Sequence, residues 1–314
     1  MPEPSLLGRP ALFDAALHRR RLARALRGNP PRFLFDRALA DVADRIAMSL
    51  RPFPLAVDLA SPLPGLAGAI GREGRRVVRL APIAGAGGDA VADPATPPLA
   101  DGSVDLVASV LALHAVDDLP GALAQIRRAL RPDGLFVACL PGGGTLAELR
   151  AALAAAEEEI SGGASPRVHP FADLRDLGGL LQRAGFALPV VDQDRVVVRY
   201  ATMFDLARDL RAMGQTSVLE TRLRRPAPRA LFLRAAEVYA GREADADGRI
   251  RASFEIVHLS GWAPHASQQK PLRPGSAKAR LAEALGVVET PLRREGPQGA
   301  PHPQPPPKAN PSVS

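Results

Sequence analysis

Two periods alternate along the chain. Phe13, Leu17 and Ala25 sit among Arg19, Arg20, Arg21 and Arg24, which predicts a basic amphipathic helix stopped by Gly28-Asn29-Pro30. The basic face reads either as solvated surface on a helix packed against the domain or as a presequence-like or partner-binding arm. Leu34, Leu39, Val42 and Ile46 then recur at helical spacing and predict a second helix near 33–50. From residue 55 the pattern shortens. Leu55-Ala56-Val57-Asp58-Leu59, Arg76-Val77-Val78-Arg79-Leu80, Val104-Asp105-Leu106-Val107-Ala108-Ser109 and Gly134-Leu135-Phe136-Val137-Ala138-Cys139-Leu140 read as short buried strands. Between the last two lies a helix that Asp117 or Asp118 can cap, with Leu119, Ala122, Leu123, Ile126 and Leu130 on one face. Pro132-Asp133-Gly134 turns the chain into the following strand. Buried strands alternating with helices predict an α/β fold with a mostly parallel sheet.

The second half reads differently. An Ala-rich helix over 146–160 ends at Ser161-Gly162-Gly163, and another over 173–184 stops at Gly185. Val190-Val191 and Val196-Val197-Val198 flank Asp192-Gln193-Asp194-Arg195 and predict an antiparallel hairpin. Helices near 203–213 and 229–240 precede a late strand, Phe254-Glu255-Ile256-Val257-His258-Leu259. The sheet is therefore expected to carry an antiparallel C-terminal edge. The Pro-rich stretch from Val287 has few apolar partners and reads as disordered. The expected organisation is a basic helical segment over 1–50, a core with inserted helices over 51–200, a helical and strand extension over 201–286, and a tail over 287–314.

Composition narrows the class. A hydrophobic content of 46% with 23% charge supports a globular core. Uncharged runs such as 134–147 fall short of the ~20 apolar residues that cross a bilayer, which leaves only peripheral membrane association open. Cys139 is the single cysteine, so a disulfide scaffold is excluded and a reducing compartment is expected. The first ten residues hold no apolar segment of a secretory signal. The net charge of +7 invites a nucleic-acid reading, but aromatics are only 4% and leave few platforms for bases. Only Lys270, Lys278 and Lys308 are lysine, so the charge reflects arginine spread along the chain. No nucleic-acid partner is expected.

A parallel sheet opens its ligand crevice at the carboxyl ends of its strands. The first such loop reads Asp58-Leu59-Ala60-Ser61-Pro62-Leu63-Pro64-Gly65-Leu66. A nucleotide site favours glycines here, yet only Gly65 is present, and Pro62 and Pro64 lack amide donors.

The order of elements resembles the class I S-adenosylmethionine-dependent methyltransferases, a Rossmann-like fold whose first loop usually reads D/E-x-G-x-G-x-G. Asp58 matches that loop's acid, while Ala60, Pro62 and Pro64 stand where its glycines stand. The family holds the ribose with an acid at the end of the second strand; here Arg79-Leu80 stands there. Asp93 matches the acid after the third strand, and Leu130-Arg131-Pro132-Asp133-Gly134 matches the turn into the fifth. Ser109 and Leu111 complete the set that the resemblance assigns to the cofactor with Asp58, Ala60, Ser61, Gly65, Leu80 and Asp93. Leu80 cannot accept ribose hydroxyls, and an unpaired buried polar group costs ~1–3 kcal/mol. Weak or absent S-adenosylmethionine binding is therefore expected, and catalysis by methyl transfer is in doubt.

Within that fold, Gly142-Gly143-Gly144-Thr145-Leu146-Ala147-Glu148-Leu149-Arg150 is similar to the G-x-T-L-x-E-L-R segment of the methyltransferase-type assembly factors of mitochondrial complex I. So are Ser161-Gly162-Gly163-Ala164-Ser165-Pro166-Arg167-Val168-His169-Pro170-Phe171, Asp176 to Phe186, Met203-Phe204-Asp205-Leu206, and Gly261-Trp262-Ala263-Pro264-His265 with Gly275-Ser276-Ala277. The resemblance spans about 13–285. It implies a part in building respiratory NADH dehydrogenase, with a protein substrate, and hydroxylation of a subunit arginine rather than methylation. The compartment it implies is the cytoplasm of a bacterium, or alternatively the mitochondrial matrix. The Gly144-Thr145-Leu146-Ala147-Glu148-Leu149 stretch is also similar to the malonyl-carrier O-methyltransferases of biotin synthesis, the alternative activity.

Single residues add candidates. His114, after the fourth strand, reads as ligand-facing or as a structural residue at the strand end. His169 sits in a Gly/Pro loop, where it closes over a substrate or bonds to backbone. His258 and Trp262 fit core positions, Glu157-Glu158-Glu159 a solvated helix end, and Cys139 an inert buried thiol. No H-x-D…H pattern for iron occurs, and no metal site is expected.

Overall fold

Seven strands form one sheet: β1 (Leu55–Leu59), β2 (Arg76–Ala81), β3 (Ala90–Val91), β4 (Val104–Val110), β5 (Leu130–Pro141), β6 (Ala187–Tyr200) and β7 (Ile250–Trp262). Their order is β3-β2-β1-β4-β5-β7-β6. The first five are parallel, and β7 runs antiparallel between β5 and β6. This is the Rossmann-like class I methyltransferase topology. The computed structural model describes residues 11–269. The Pro-rich tail, the boundary at 286 and Gly275-Ser276-Ala277 lie outside the described residues.

The central strands are buried on both faces, as a parallel sheet covered by helices requires. On one face α4 (Leu119–Ala129) and α6 (Leu174–Arg183) bring Leu123, Ile126, Leu177 and Leu181 against Val57, Val107 and Phe136. Asp118 caps α4 by accepting from the Gly121 amide, whereas Asp117 accepts from the amides of Leu12 and Phe13. On the other face α2 (Phe33–Ala47) and the short α3 (Leu66–Ile70) pack Phe35, Val42 and Ile46 onto Leu106, Val137 and Cys139. A third cluster joins α5 (Ala147–Ser161), α7 (Met203–Ala212) and α8 (Arg229–Glu243) to Tyr200 and Phe254 at one end of β6 and β7.

The first helix, α1 (Ala15–Arg27), is a packed element. Asp14 accepts from the Leu17 amide at its start, and Gly28 ends it. Leu22 packs with Ala81, Ile83 and Ala86, the residues that close β2 and lead out of it. Arg19 and Arg20 of the basic face are exposed, with Arg19 paired to Asp93, while the partly buried Arg21 donates to the Ser217 carbonyl.

Three expectations are corrected. Residues 187–200 form one strand, paired with β7 from Ala187 to Tyr200, and make no hairpin. The charges that suggest a turn are side chains of an edge strand: Asp192 pairs with Arg45 and Asp194 with Arg37, both on α2. Edge strands commonly carry such charge. The second strand continues to Ala81, so its carboxyl end is one residue beyond Leu80. Glu157 is 4% exposed and is no solvated helix end.

Candidate functional site

The first loop is bound from inside by one arginine. Asp58 and Arg79 are register partners across β1 and β2. The Arg79 guanidinium donates to Asp58 Oδ2 at 2.5 Å, to the Ser61 carbonyl at 2.8 Å and to the Gly87 carbonyl at 2.6 Å. Asp58 is 1% exposed and Arg79 8%. Burial pushes the Asp58 carboxyl above its ordinary pKa, while Ser61 and Arg79 pull it back. The residue that replaces an expected acid near the end of β2 thus carries the opposite charge and spends it on the acid of β1.

The remaining cofactor candidates are also engaged. Ala60 holds a φ of +57°, a left-handed geometry that glycine adopts freely, and its amide donates to the Leu80 carbonyl. Ser61 Oγ accepts from the Val110 amide, and Ser109 Oγ donates to the Leu59 carbonyl, which ties the loop to β4. Gly65 lies under α2, where a Cβ would come within 2.7 Å of Leu39 Cδ2. Leu80 is buried in the sheet core. Asp93 accepts from Arg19 at 2.7 Å and from the Ala95 amide at 2.9 Å. Ala81, at the end of β2, packs against Leu22 of α1 and offers no acceptor for a hydroxyl.

A cavity of about 340 Å³ opens over the ends of β1, β4 and β5. Pro62, Leu63, Leu111 and Pro141 contribute to its sheet side. The link from α1 to α2, with Pro30 and Pro31, and helices α5 and α7 line it from elsewhere. Its surface is chiefly apolar, which suits an aliphatic group better than a nucleoside. Of the ten candidates, Leu111, His114 and His169 line the cavity; Asp58, Ala60, Ser61, Gly65, Leu80, Asp93 and Ser109 do not.

Both histidines are neutral at pH 7. Burial, with His18 and His169 nearby, lowers the His114 pKa to about 3. Its Nε2 contacts Gln215 Oε1 at 3.2 Å, and its Nδ1 is buried without a partner. Burial, with His18 and Arg21, lowers His169 to about 4. His169 Nε2 accepts from the Val218 amide at 2.7 Å, so its proton sits on Nδ1. His169 thus bonds to backbone and also lines the cavity. His258 is buried in β7 at 2% exposure. Cys139 is fully buried, and desolvation pushes its thiol up to about 12, which leaves it inert.

The loop that carries His169 is held by Glu157. Its carboxylate accepts from Arg167 at 2.6 and 3.0 Å, from the Ser165 amide and from Ser165 Oγ. Arg167 first, then the Ser165 bonds against desolvation, bring the Glu157 pKa down to about 2. The T-L-x-E-L-R segment forms a clasp on β7. Thr145 Oγ1 donates to the Glu255 carbonyl and accepts from the Glu255 amide. Glu148 accepts from the amide and hydroxyl of Ser253. Arg150 donates to the carbonyls of Gly143, Thr145 and His169.

Three residues of the site carry no functional reading in the sequence. Arg79 registers only as a missing acid until the strands are aligned. Glu157 hides in a run of three glutamates. Glu255 sits mid-strand with no local motif, yet it lines the cavity. Among the described residues no group of three or more His, Cys, Asp or Glu could hold a metal, and no helix is long and apolar enough to cross a membrane.

Residues 76–138 match the family model described as a methyltransferase domain. The mitochondrial arginine-hydroxylase NDUFAF5 of Danio rerio is 35% identical over 286 residues, covering 87% of this chain and 89% of that protein. The Homo sapiens protein of the same name is 37% identical, covering 88% and 84%. The malonyl-[acyl-carrier protein] O-methyltransferase of Xylella fastidiosa is 38% identical over 172 residues, but covers only 55% of this chain and 56% of that protein. Among solved structures, the YcgJ protein from Bacillus subtilis is 12% identical, with a TM-score of 0.49, covering 72% of this chain and 98% of that one.

Proposed function

The chain belongs to the family of the arginine-hydroxylase NDUFAF5, and on that premise we propose that it acts in the assembly of respiratory NADH dehydrogenase, on an arginine of a peripheral-arm subunit. The observation that carries this reading is the reach of the similarity, which runs well past the matched domain into α5, the 161–171 loop and the β7 clasp. Those later elements line the cavity. They give a protein side chain a place to enter beside the sheet. The place of action is then the bacterial cytoplasm, with the mitochondrial matrix as the alternative.

We further propose that S-adenosylmethionine has no strong hold here. The residues at its expected place do not fit it. Arg79 occupies the inside of the first loop, Ala81 stands where hydroxyl acceptors are needed, and α1 packs over that end of β2. The partial similarity to malonyl-carrier methyltransferases does not offset this, because that activity requires the cofactor.

The test is mass spectrometry of NADH dehydrogenase purified from wild-type and gene-deleted strains. The expected result is an arginine-containing subunit peptide that is heavier by one oxygen atom in the wild type only, with less assembled complex in the deletion. An intact complex with identical arginine masses in both strains removes the reading.

A further inference from the structure

We propose that Glu255 is the specificity-determining residue of the cavity, the carboxylate that receives the guanidinium of the substrate arginine. The proposal rests on the reading of an arginine substrate given above and assigns the group that recognises it. Glu255 is partly buried on β7 and faces a cavity whose lining is otherwise chiefly apolar. Its backbone is pinned on both sides by Thr145 Oγ1. Its carboxylate has no ion pair and no side-chain hydrogen bond among the described residues. Arg195 stands opposite it in the ladder but turns to Ser253 and Glu148. The other charged residue of the lining, Arg167, is already paired with Glu157.

Space for the carboxylate is made by two glycines. A Cβ on Gly142 would stand 2.2 Å from Glu255 Oε1, and one on Gly144 would stand 2.6 Å from Oε2. Side chains at either position would push the carboxylate away. These are the glycines that open the segment whose Thr145 and Glu148 clasp β7, so the motif both fixes the backbone of Glu255 and frees its head group.

A lone carboxylate at an apolar cavity calls for a cation with an aliphatic stem. Arginine supplies both. Its planar fork matches a carboxylate with two parallel bonds, and its methylenes suit walls such as Leu146, Phe254 and Ile256. The histidines beside the cavity do not oppose a cation, since burial keeps them neutral at pH 7. The cavity of about 340 Å³ has room for one such side chain.

The experiment has two arms on the full chain. In the first, N-acetyl-arginine amide and the isosteric, uncharged N-acetyl-citrulline amide are titrated against the protein by NMR. The expected result is at least tenfold tighter binding of the arginine compound, lost in Glu255→Gln and in Gly144→Ala, with thermal melting of the first variant close to wild type. Equal affinity for both compounds in the wild-type chain, or an undiminished preference in a folded Glu255→Gln, overturns the assignment. In the second arm the deleted strain is complemented with Glu255→Gln. Full restoration of the modified arginine peptide overturns the role of Glu255 while leaving the assembly reading intact. Glu255-dependent arginine binding in a chain whose deletion leaves every arginine mass unchanged has the opposite meaning: the carboxylate recognises guanidinium, and the assembly reading fails.

Discussion

Replacing Arg79 by methionine is expected to cost the fold about 3–5 kcal/mol, the usual range when one partner of a buried ion pair is removed. Asp58 would be left 1% exposed without its counter-charge, and the carbonyls of Ser61 and Gly87 would lose their donor. At roughly 2–4 °C per kcal/mol for a domain of this size, the melting temperature should fall by about 10 °C. The double variant Asp58→Asn with Arg79→Met should recover part of that loss, because the uncompensated charge goes with its partner. A lone Asp58 carboxyl would have a pKa raised by burial. Its penalty is present above the folded pKa and relieved below the unfolded one, so the deficit of Arg79→Met should narrow as the pH falls toward about 4. Urea unfolding across that range checks the sign. A single variant as stable as the wild type would mean that the pair does not hold the loop.

The second large effect is at Glu157. Its pKa in the folded chain is lowered from 4.5 to about 2, chiefly by Arg167. A carboxyl with a depressed folded pKa adds stability that is complete above the unfolded value and lost as the pH falls through the folded one. The window is therefore from about 4.5 down to about 2. The size of the contribution is on the order of 3 kcal/mol. Glu157→Gln should remove most of it at pH 7 and release the 161–167 loop, which is expected to exchange its amides faster than the rest of α5. Arg167, Val168, His169 and Phe171 line the cavity, so the same change should loosen the grip on an arginine ligand. Hydrogen exchange followed by mass spectrometry separates this local release from global unfolding. A flat stability between pH 5 and 2.5 would contradict the assignment.

Much of the architecture is legible in the sequence because it is local. The apolar runs of β1, β4 and β5 and the capped, one-sided helix α4 announce themselves by period. What escapes is set by neighbours distant in the chain. Asp192 and Asp194 look like turn residues until α2 supplies Arg45 and Arg37, and then β6 runs straight through them. Glu157 looks solvated because Glu158 and Glu159 beside it are, yet the loop folds back onto it alone. Arg79 looks like the absence of an acid. Its partner is found only by laying β2 beside β1, where Asp58 and Arg79 share one register position. Glu255 gives no local sign, since its meaning depends on glycines more than a hundred residues earlier.

These long-range facts share one consequence. The methyltransferase fold is retained, and the inside of its first loop is held by the protein's own guanidinium. Calorimetric titration of the full chain with S-adenosylmethionine tests this most directly. The expected result is no saturable heat at micromolar or tens-of-micromolar ligand. Stoichiometric binding in the micromolar range would show that Arg79 yields its place, and would contradict the proposal that the cofactor has no strong hold here.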